Sequence, residues 1–367
     1  MPKKIYKVIQ WSSGNVGKAS IRGIKNRSDL DLVGLIVSDK NKNGLDAGTI
    51  AGIDPIGVEA STDIEKVLST EADCVNYTPL ASLRLGEDPD LDKKNIIMLL
   101  KNGFNVVTTV GFLYPKAFGE DFANEIEDAC IEGGVCLHGT GIAPGWLSDL
   151  MPLTMSGMSE EVNEVVVTES SEFSYYPSEE IVFDTMLMGK SLDQYNQEAG
   201  RYENWLGGLF KEAIYLIADG IGSKIINVDE SIDLITAEQD YKIAAGVVEK
   251  GKISGQRRKW TGNCEDGTKI IQETIWRAHP DAAPEWEEPV GMCVEVKGKP
   301  NMKIDFSHDW NDDPLVSTAL HGIHAIPLVC EASPGFKSFL DLPLILSLIH
   351  ISEPTRPRLI SYAVFCL

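Results

Sequence analysis

Long hydrophobic runs are missing from this chain: no 18-residue stretch is continuously apolar. That argues against a membrane-spanning helix. The opening residues, MPKKIYKVIQW, enter a strand pattern directly, with no apolar segment leading to a cleavage site. The expectation is therefore a soluble, cytoplasmic protein. Positive charge is scarce, at 33 Lys and Arg against 55 Asp and Glu, a net charge of −22. A nucleic-acid surface needs clustered positive charge, so that class of partner is excluded. Seven cysteines occur without a C-x-x-C pair and at irregular spacing, which reads as free core thiols rather than a disulfide framework. No polar, low-complexity linker divides the chain.

What is present is a length of 367 residues, enough for two domains. Short β-rich runs alternate with helical patterns up to about Thr140. KIYKVIQW, LDLVGLIVS, ADCVNYTP, FNVVTTV and VCLHGTG read as five strands. Between them lie KASIRGIKN, STDIEKVLST (capped by Ser61 or Thr62), DLDKKNIIMLLKNG and EDFANEIEDACIEGG as helices. This alternation predicts a parallel sheet with right-handed crossovers. Ligands of such sheets bind beyond the C-terminal strand ends.

The first strand runs into WSSGNVGKA, where Ser12, Gly14 and Gly17 hold the three glycine positions of a dinucleotide fingerprint. Gly14 lets phosphate approach the backbone, and Gly17 lets the helix pack on the strand. The helix N-terminus supplies N–H groups and a partial positive charge. Ser12 replaces the first glycine in a turn that serine can adopt. The expected cofactor contacts are Ser12, Ser13, Gly14, Asn15, Val16 and Gly17. Ser38, Asp39 and Lys40 follow the second strand. Asp39 suits a ribose 2′-hydroxyl, whereas Ser38, Lys40 and Lys42 suit a 2′-phosphate, so the cofactor is NAD or NADP. Thr78, Pro79, Thr109 and Gly111 stand at strand ends and complete the expected cofactor set.

After GTGIAPGWLSDLMPL the texture changes. EVNEVVVTESSEF, INVDESIDLITA, YKIAAGVVEKGKISGQRRKW, KIIQETIWRAH and VGMCVEVKG alternate in the manner of a mostly antiparallel sheet. PSEEIVFDTMLMG and the region of NWLGGLFKEAIYLIADG are helical patterns. LVSTALHGIHAIPLVCEA is a late helix with a break expected at Pro327. The fold class is thus α/β: a Rossmann-like nucleotide domain, residues 1–145, with an α+β substrate and oligomerisation domain, residues 146–345. The late helix can belong to the second domain or pack back on the first. Residues 346–367 resemble a translated sequencing adapter and are set aside.

WSSGNVGKA, DAGTIAGIDPIGV, TTVGFLYP, HGTGIAPGW and HAIPLVCEASPGFKSFLDLPLI together resemble the family of 2,4-diaminopentanoate dehydrogenase and its amine-dehydrogenase relatives, with a nucleotide domain like that of dihydrodipicolinate reductase. The resemblance implies an NAD(P)-dependent oxidoreductase acting at a carbon that bears nitrogen, assembled as a homo-oligomer. Two departures stand out. The histidine-rich catalytic segment of dihydrodipicolinate reductase is absent. So is the glutamate that the amine dehydrogenases carry shortly before Tyr-Pro: here the stretch is Val110-Gly111-Phe112-Leu113-Tyr114-Pro115. An alternative of a different class follows, a sensor that binds NAD(P) without turnover.

The candidate acid–base groups are His321, Glu169 and His138. His138 ends the fifth strand, Glu169 lies on the first strand of the second domain, and His321 lies on the late helix. His321 and His324 share a helical face but lack a convincing third ligand, so no metal site is expected. Tyr114, Gly139, Thr140, Gly141 and Trp146 are the expected substrate pocket. The glycines would leave room beside the cofactor, and Trp146 would wall the pocket.

Overall fold

The computed structural model describes residues 4–82, 88–307 and 315–347. In chain order its first part contains β1 (Tyr6–Trp11), α1 (Asn15–Lys25), β2 (Leu30–Ile36), α2 (Ala47–Ala51), β3 (Ala60–Ser61), α3 (Ile64–Leu68), β4 (Cys74–Tyr77), α4 (Leu91–Lys101), β5 (Asn105–Thr108), α5 (Glu120–Gly133) and β6 (Cys136–Gly139). These strands are parallel and their central members are buried on both faces, as expected of apolar runs covered by helices. The sheet order is β15-β6-β5-β4-β1-β2-β3, where β15 is Gly335–Phe336. The chain leaves β1 toward β2 and later returns to β4 on the other side of β1. The crevice above β1 and β4 is therefore the switch point of the sheet.

Two apolar layers flank this sheet. α4 and α5 cover one face through Ile96, Leu99, Leu100 and Ile126. α1 covers the other, beside α9 (Val316–Glu331), whose Ile323, Ile326 and Val329 complete the layer. The late helix and β15 thus join the first sheet although they lie nearly 200 residues beyond β6. α9 runs through Pro327 without ending there. Pro327 is buried against the sheet, and that packing outweighs the one backbone hydrogen bond that proline forfeits. Another correction concerns α3, whose cap is Asp63, accepting from the Lys66 N–H at 3.0 Å, rather than Ser61 or Thr62.

The second part contains α6 (Leu150–Ser156), β7 (Glu161–Glu172), α7 (Leu192–Glu198), α8 (Gly200–Gly220), β8 (Ile225–Thr236), β9 (Tyr241–Ile243), β10 (Gly246–Val248), β11 (Ile253–Cys264), β12 (Lys269–Arg277), β13 (Gly291–Lys299) and β14 (Met302–Phe306). Six of these strands form a sheet in the order β14-β13-β7-β12-β11-β8, antiparallel except for β7 beside β12. The long strand expected from Tyr241 to Trp260 is instead a β9–β10 hairpin followed by β11. The helical pattern at 177–189 gives only a six-residue π-type turn, Glu180–Thr185.

α8 lies between the two sheets. Its sheet-facing side packs Leu206, Phe210, Ile214 and Ile217 into the second core, with Phe210 stacked on Trp260 at 4.6 Å. Its other side presents Leu209 and Glu212 to Gly111, at the exit of β5. On the sheet side, Arg258 is 1% exposed and its guanidinium donates to both carboxylate oxygens of Glu203, from Nε at 3.1 and 2.9 Å and from Nη2 at 2.8 Å. Removing one partner strands the other charge in the core. Glu203→Ala should cost about 3 kcal/mol, whereas Glu203→Leu with Arg258→Met should recover most of that loss. Chemical denaturation of the three proteins checks the order, and equal stability of the single and double variants would contradict it.

Candidate active site

The turn after β1 is built as a dinucleotide loop requires. Ser12 takes φ 88°, the left-handed geometry that glycine usually supplies, and its N–H donates to the Ile36 carbonyl at 2.9 Å. A Cβ at Gly17 would lie 2.2 Å from the Ser12 carbonyl oxygen, so only glycine lets α1 come this close. Gly14 is the N-cap of α1 and faces open space apart from the Ser12 hydroxyl, and no acidic residue lies in the first turn. The N–H groups that begin at Asn15 and Val16 are the helix-end donors suited to a diphosphate. Beneath the loop, the amide of Gln10 accepts from Asn76 at 2.7 Å and donates to the Thr78 hydroxyl at 2.8 Å. This buried chain ties the ends of β1 and β4. Lys42 reaches over the loop, with Nζ 3.1 Å from the Ser13 hydroxyl. Ser38, Asp39 and Lys40 are exposed, and the Asp39 carboxylate accepts from the Asn41 N–H at 2.9 Å.

Beyond β4 to β6 the strand exits crowd together. The Thr109 N–H donates to the Tyr77 carbonyl at 3.3 Å, and Pro79 is half-buried beside Thr78. A Cβ at Gly139 would fall 2.3 Å from the Phe112 carbonyl oxygen, and one at Gly141 would fall 2.7 Å from that of Pro144. These glycines allow backbone to meet backbone. They do not leave the open room that the sequence reading gave them. Thr140 is buried, and its hydroxyl lies 2.6 Å from His321 Nδ1.

The three acid–base candidates sit in different surroundings. His138 is fully buried and donates from Nδ1 to the Lys337 carbonyl at 2.7 Å, with its ring edge-on to Phe339 at 5.1 Å. Burial lowers His138 to about 4 and His321 to about 3. Both are neutral near pH 7, so His321 holds no imidazolium proton to donate. The Nε2 atoms of both rings are buried without a hydrogen-bond partner among the described residues. Glu169 accepts from Trp276 Nε1 and from the Ser171 hydroxyl, each at 3.2 Å, and burial raises its carboxyl. His324 turns away from His321 to Arg27, at 2.8 Å, and no metal-binding cluster occurs among the described residues.

Trp146 is half-buried and packs edge-on against Phe306 at 5.4 Å. Phe306 pairs with Met292, and Met292 with Glu169. Trp146 and Glu169 therefore border the same row of the second sheet. Tyr114 points elsewhere: it is buried, its hydroxyl bonds to Asp219 on α8, and it lines a surface cleft with Lys116, Glu120 and Asp341.

Two acids missed by sequence reasoning bond to the loops after β5 and β6. Glu212 of α8 is 1% exposed. Its carboxylate accepts from the Tyr114 N–H at 3.1 Å and is also held by the N–H groups of Leu113 and Phe112. Burial nevertheless pushes it up to about 8. Asp149 is fully buried, accepts from the N–H groups of Gly145 at 3.0 Å and Leu150 at 2.6 Å, and is pushed up by burial to about 7. Glu212 lines a cavity of about 320 Å³ with Gly111, Phe112, Phe118, Trp205 and Leu209. The available signal was an acid between Leu209 and Leu216 on one face of the helix, Leu209-x-x-Glu212-x-x-x-Leu216.

A family model described as the 2,4-diaminopentanoate dehydrogenase C-terminal domain matches residues 146–355, and one described as the dihydrodipicolinate reductase N-terminus matches residues 8–112. The chain belongs to the 2,4-diaminopentanoate dehydrogenase family. An amine dehydrogenase of Streptomyces virginiae is 27% identical over 92% of this chain and 96% of its own length. The 2,4-diaminopentanoate dehydrogenase of Acetoanaerobium sticklandii is 28% identical over 68% of this chain and 69% of its own length. The solved structure of an amine dehydrogenase from Mycobacterium smegmatis shares the fold, with a TM-score of 0.76 and 19% identity over 94% of this chain and 98% of that one.

In this family member the buried ionisable groups set a pH optimum for stability. Asp149 and Glu212, raised to about 7 and about 8, keep protons in the folded state that the unfolded chain has released. Their contribution is lost as pH rises from about 4 to about 8. His138, His321 and His324, lowered to about 4, about 3 and about 4, contribute above the ordinary histidine value and fail as pH falls. Thermal melting should peak at about pH 6.5. Glu212→Gln should flatten the alkaline arm. Melting temperatures that climb steadily to pH 9 would overturn this account.

Proposed function

We propose that the Ser12–Gly17 loop holds the diphosphate of NAD(P) and that a small amine or imine binds between the exits of β5 and β6 and the second domain. The chain is an NAD(P)-dependent oxidoreductase of the amine-dehydrogenase type by family. The observation that carries the cofactor assignment is the Ser12 turn, with its φ of 88° and the 2.2 Å approach that only Gly17 permits. These residues fit the cofactor: free helix-end N–H groups, no acid in the first turn, and Lys42 leaning over Ser13. Bound there, a nicotinamide would accept or return hydride at the substrate carbon. Thr78, Pro79, Thr109 and Gly111 are placed to border it. Asp39 on one side and Lys40 and Lys42 on the other leave both NAD and NADP within the proposal.

The protein must also shield the reacting atoms from water and manage a proton. Leu209, Phe112 and Trp205 line the cavity, and Glu212 and Asp149 are buried acids raised to about 8 and about 7 beside the strand exits. Buried acids of this kind favour turnover over the reading as a cofactor-binding sensor. A homo-oligomer in the cytoplasm belongs to the same proposal. Ile226 and Ile232 on edge strand β8 and Ile304 on edge strand β14 are exposed, which favours self-association. No helix among the described residues is long and apolar enough to cross a membrane.

Gly14→Asp tests the loop without crowding it, because a Cβ there meets nothing closer than 3.9 Å. Its charge would face the diphosphate, so calorimetry should show NAD(P)H affinity falling by at least about tenfold. Unchanged affinity would place the cofactor elsewhere. Turnover is read as loss of NADH or NADPH absorbance with ammonium and a panel of small ketones, 2-amino-4-oxopentanoate among them. A wild-type protein that binds cofactor yet oxidises none with any ketone would favour the sensor.

A further inference from the structure

We infer that Glu212 is the group that exchanges a proton with the substrate nitrogen, standing in space where the loop before Tyr114-Pro115 has no acid of its own. This rests on the oxidoreductase reading above. The stretch Val110-Gly111-Phe112-Leu113-Tyr114-Pro115 carries no ionisable side chain before Tyr114. α8 supplies one from 98 residues further along. Glu212 Oε2 lies 3.4 Å from where a Cβ at Gly111 would be, so the carboxyl group stands in contact with the loop at the position that has no side chain. Its other oxygen is anchored by the Tyr114 N–H at 3.1 Å, which fixes the group against both loop and helix.

Asp90, Asp92 and Lys93 line the same cavity, and Asp149 acts on Glu212 from outside it. Asp92 accepts from the Tyr77 hydroxyl at 2.7 Å and from the Ser82 N–H and hydroxyl at 2.7 and 2.8 Å. Lys93 pairs with Glu125 at 3.0 Å, and Asp90 is exposed at the rim. Asp149, from the turn after β6, repels the ionised form of Glu212 and is itself tied to Gly145 and Leu150. Glu212 is the buried acid of this lining that no side chain pairs with among the described residues. With burial holding it at about 8, it can exchange its proton near neutral pH.

The step balances as a proton transfer. In the direction of amine oxidation, an N–H bond of the substrate ammonium breaks, an O–H bond forms on Glu212, and the nitrogen keeps the electron pair. In the reverse direction Glu212 returns the proton. No electron changes hands in this step, and the hydride is a separate transfer.

Glu212→Gln separates this role from that of a loop clamp, because the amide oxygen can still accept from the Tyr114 N–H. The expected result has two arms. NAD(P)H affinity should stay within about twofold, while the rate of NADPH oxidation with ammonium and the best ketone falls by about 100-fold or more and loses its alkaline pH limb. Independently of turnover, infrared difference spectra should show a protonated carboxyl in the wild type at pH 7 that is absent from Glu212→Gln and is lost on saturation with sec-butylamine. A carboxyl band that the amine leaves unchanged overturns the inference, and so does a variant within threefold of wild type with the same pH limb. Were the wild type to turn over no ketone, the oxidoreductase reading would fall, and the amine-sensitive band would still decide whether Glu212 meets nitrogen. The wild-type titration keeps the test open even if the variant does not fold.

Discussion

The grip of Glu212 on the backbone after β5 is the contact on which this structure turns. A carboxylate 1% exposed is costly to bury, and three successive N–H groups, Phe112 to Tyr114, offset part of that cost. The contact joins α8, which belongs to the second core through Phe210 and Ile214, to a loop of the parallel sheet. α8 is thereby fixed on two sides. The cavity beside Gly111 has its shape because one wall is helix and the other is strand exit.

Asp149 does the equivalent task one strand over. It holds the turn after β6 through Gly145, and Gly139 lets that exit abut the carbonyls of Gly111 and Phe112. The two loops bordering the proposed nicotinamide position are thus each held by a buried acid as well as by apolar packing. Burial raises Asp149 to about 7 and Glu212 to about 8, so each can take up a proton and be enclosed without a cationic partner. The neutral, buried histidines His138 and His321 follow the same rule: desolvation decides their protonation state.

Much of the fold was legible because periodicity reports it directly. Alternating strands and helices up to Thr140 point to a parallel sheet, and the texture after Leu153 points to a second, mostly antiparallel one. The Ser12 turn was legible as well, since a glycine pattern placed between a strand and a helix has a specific physical use. Other assignments misled because they were read from chain position. Tyr114 follows the β5 exit and yet turns to Asp219. Gly139 and Gly141 suggest space and yet serve close backbone contact. Trp146 and Glu169 do border one row of the second sheet, although 22 residues part them in the chain.

By itself the sequence determined most of the local conformations and the layers they form, because helix and strand periods and turn residues act over a few positions. It also determined the glycine turn proposed to hold the cofactor, whose geometry is set within Ser12 to Gly17. Only the tertiary structure decided which acid faces Gly111. That choice depends on the angle at which α8 enters between two sheets, and on the N–H groups of a loop 98 residues away that donate to its carboxylate. It likewise decided that α9 and β15 complete the first sheet, since a buried apolar helix can pack on whichever face is left uncovered. Long-range choices of this kind are set by the energy of burying matched surfaces, and no short stretch of sequence carries that information.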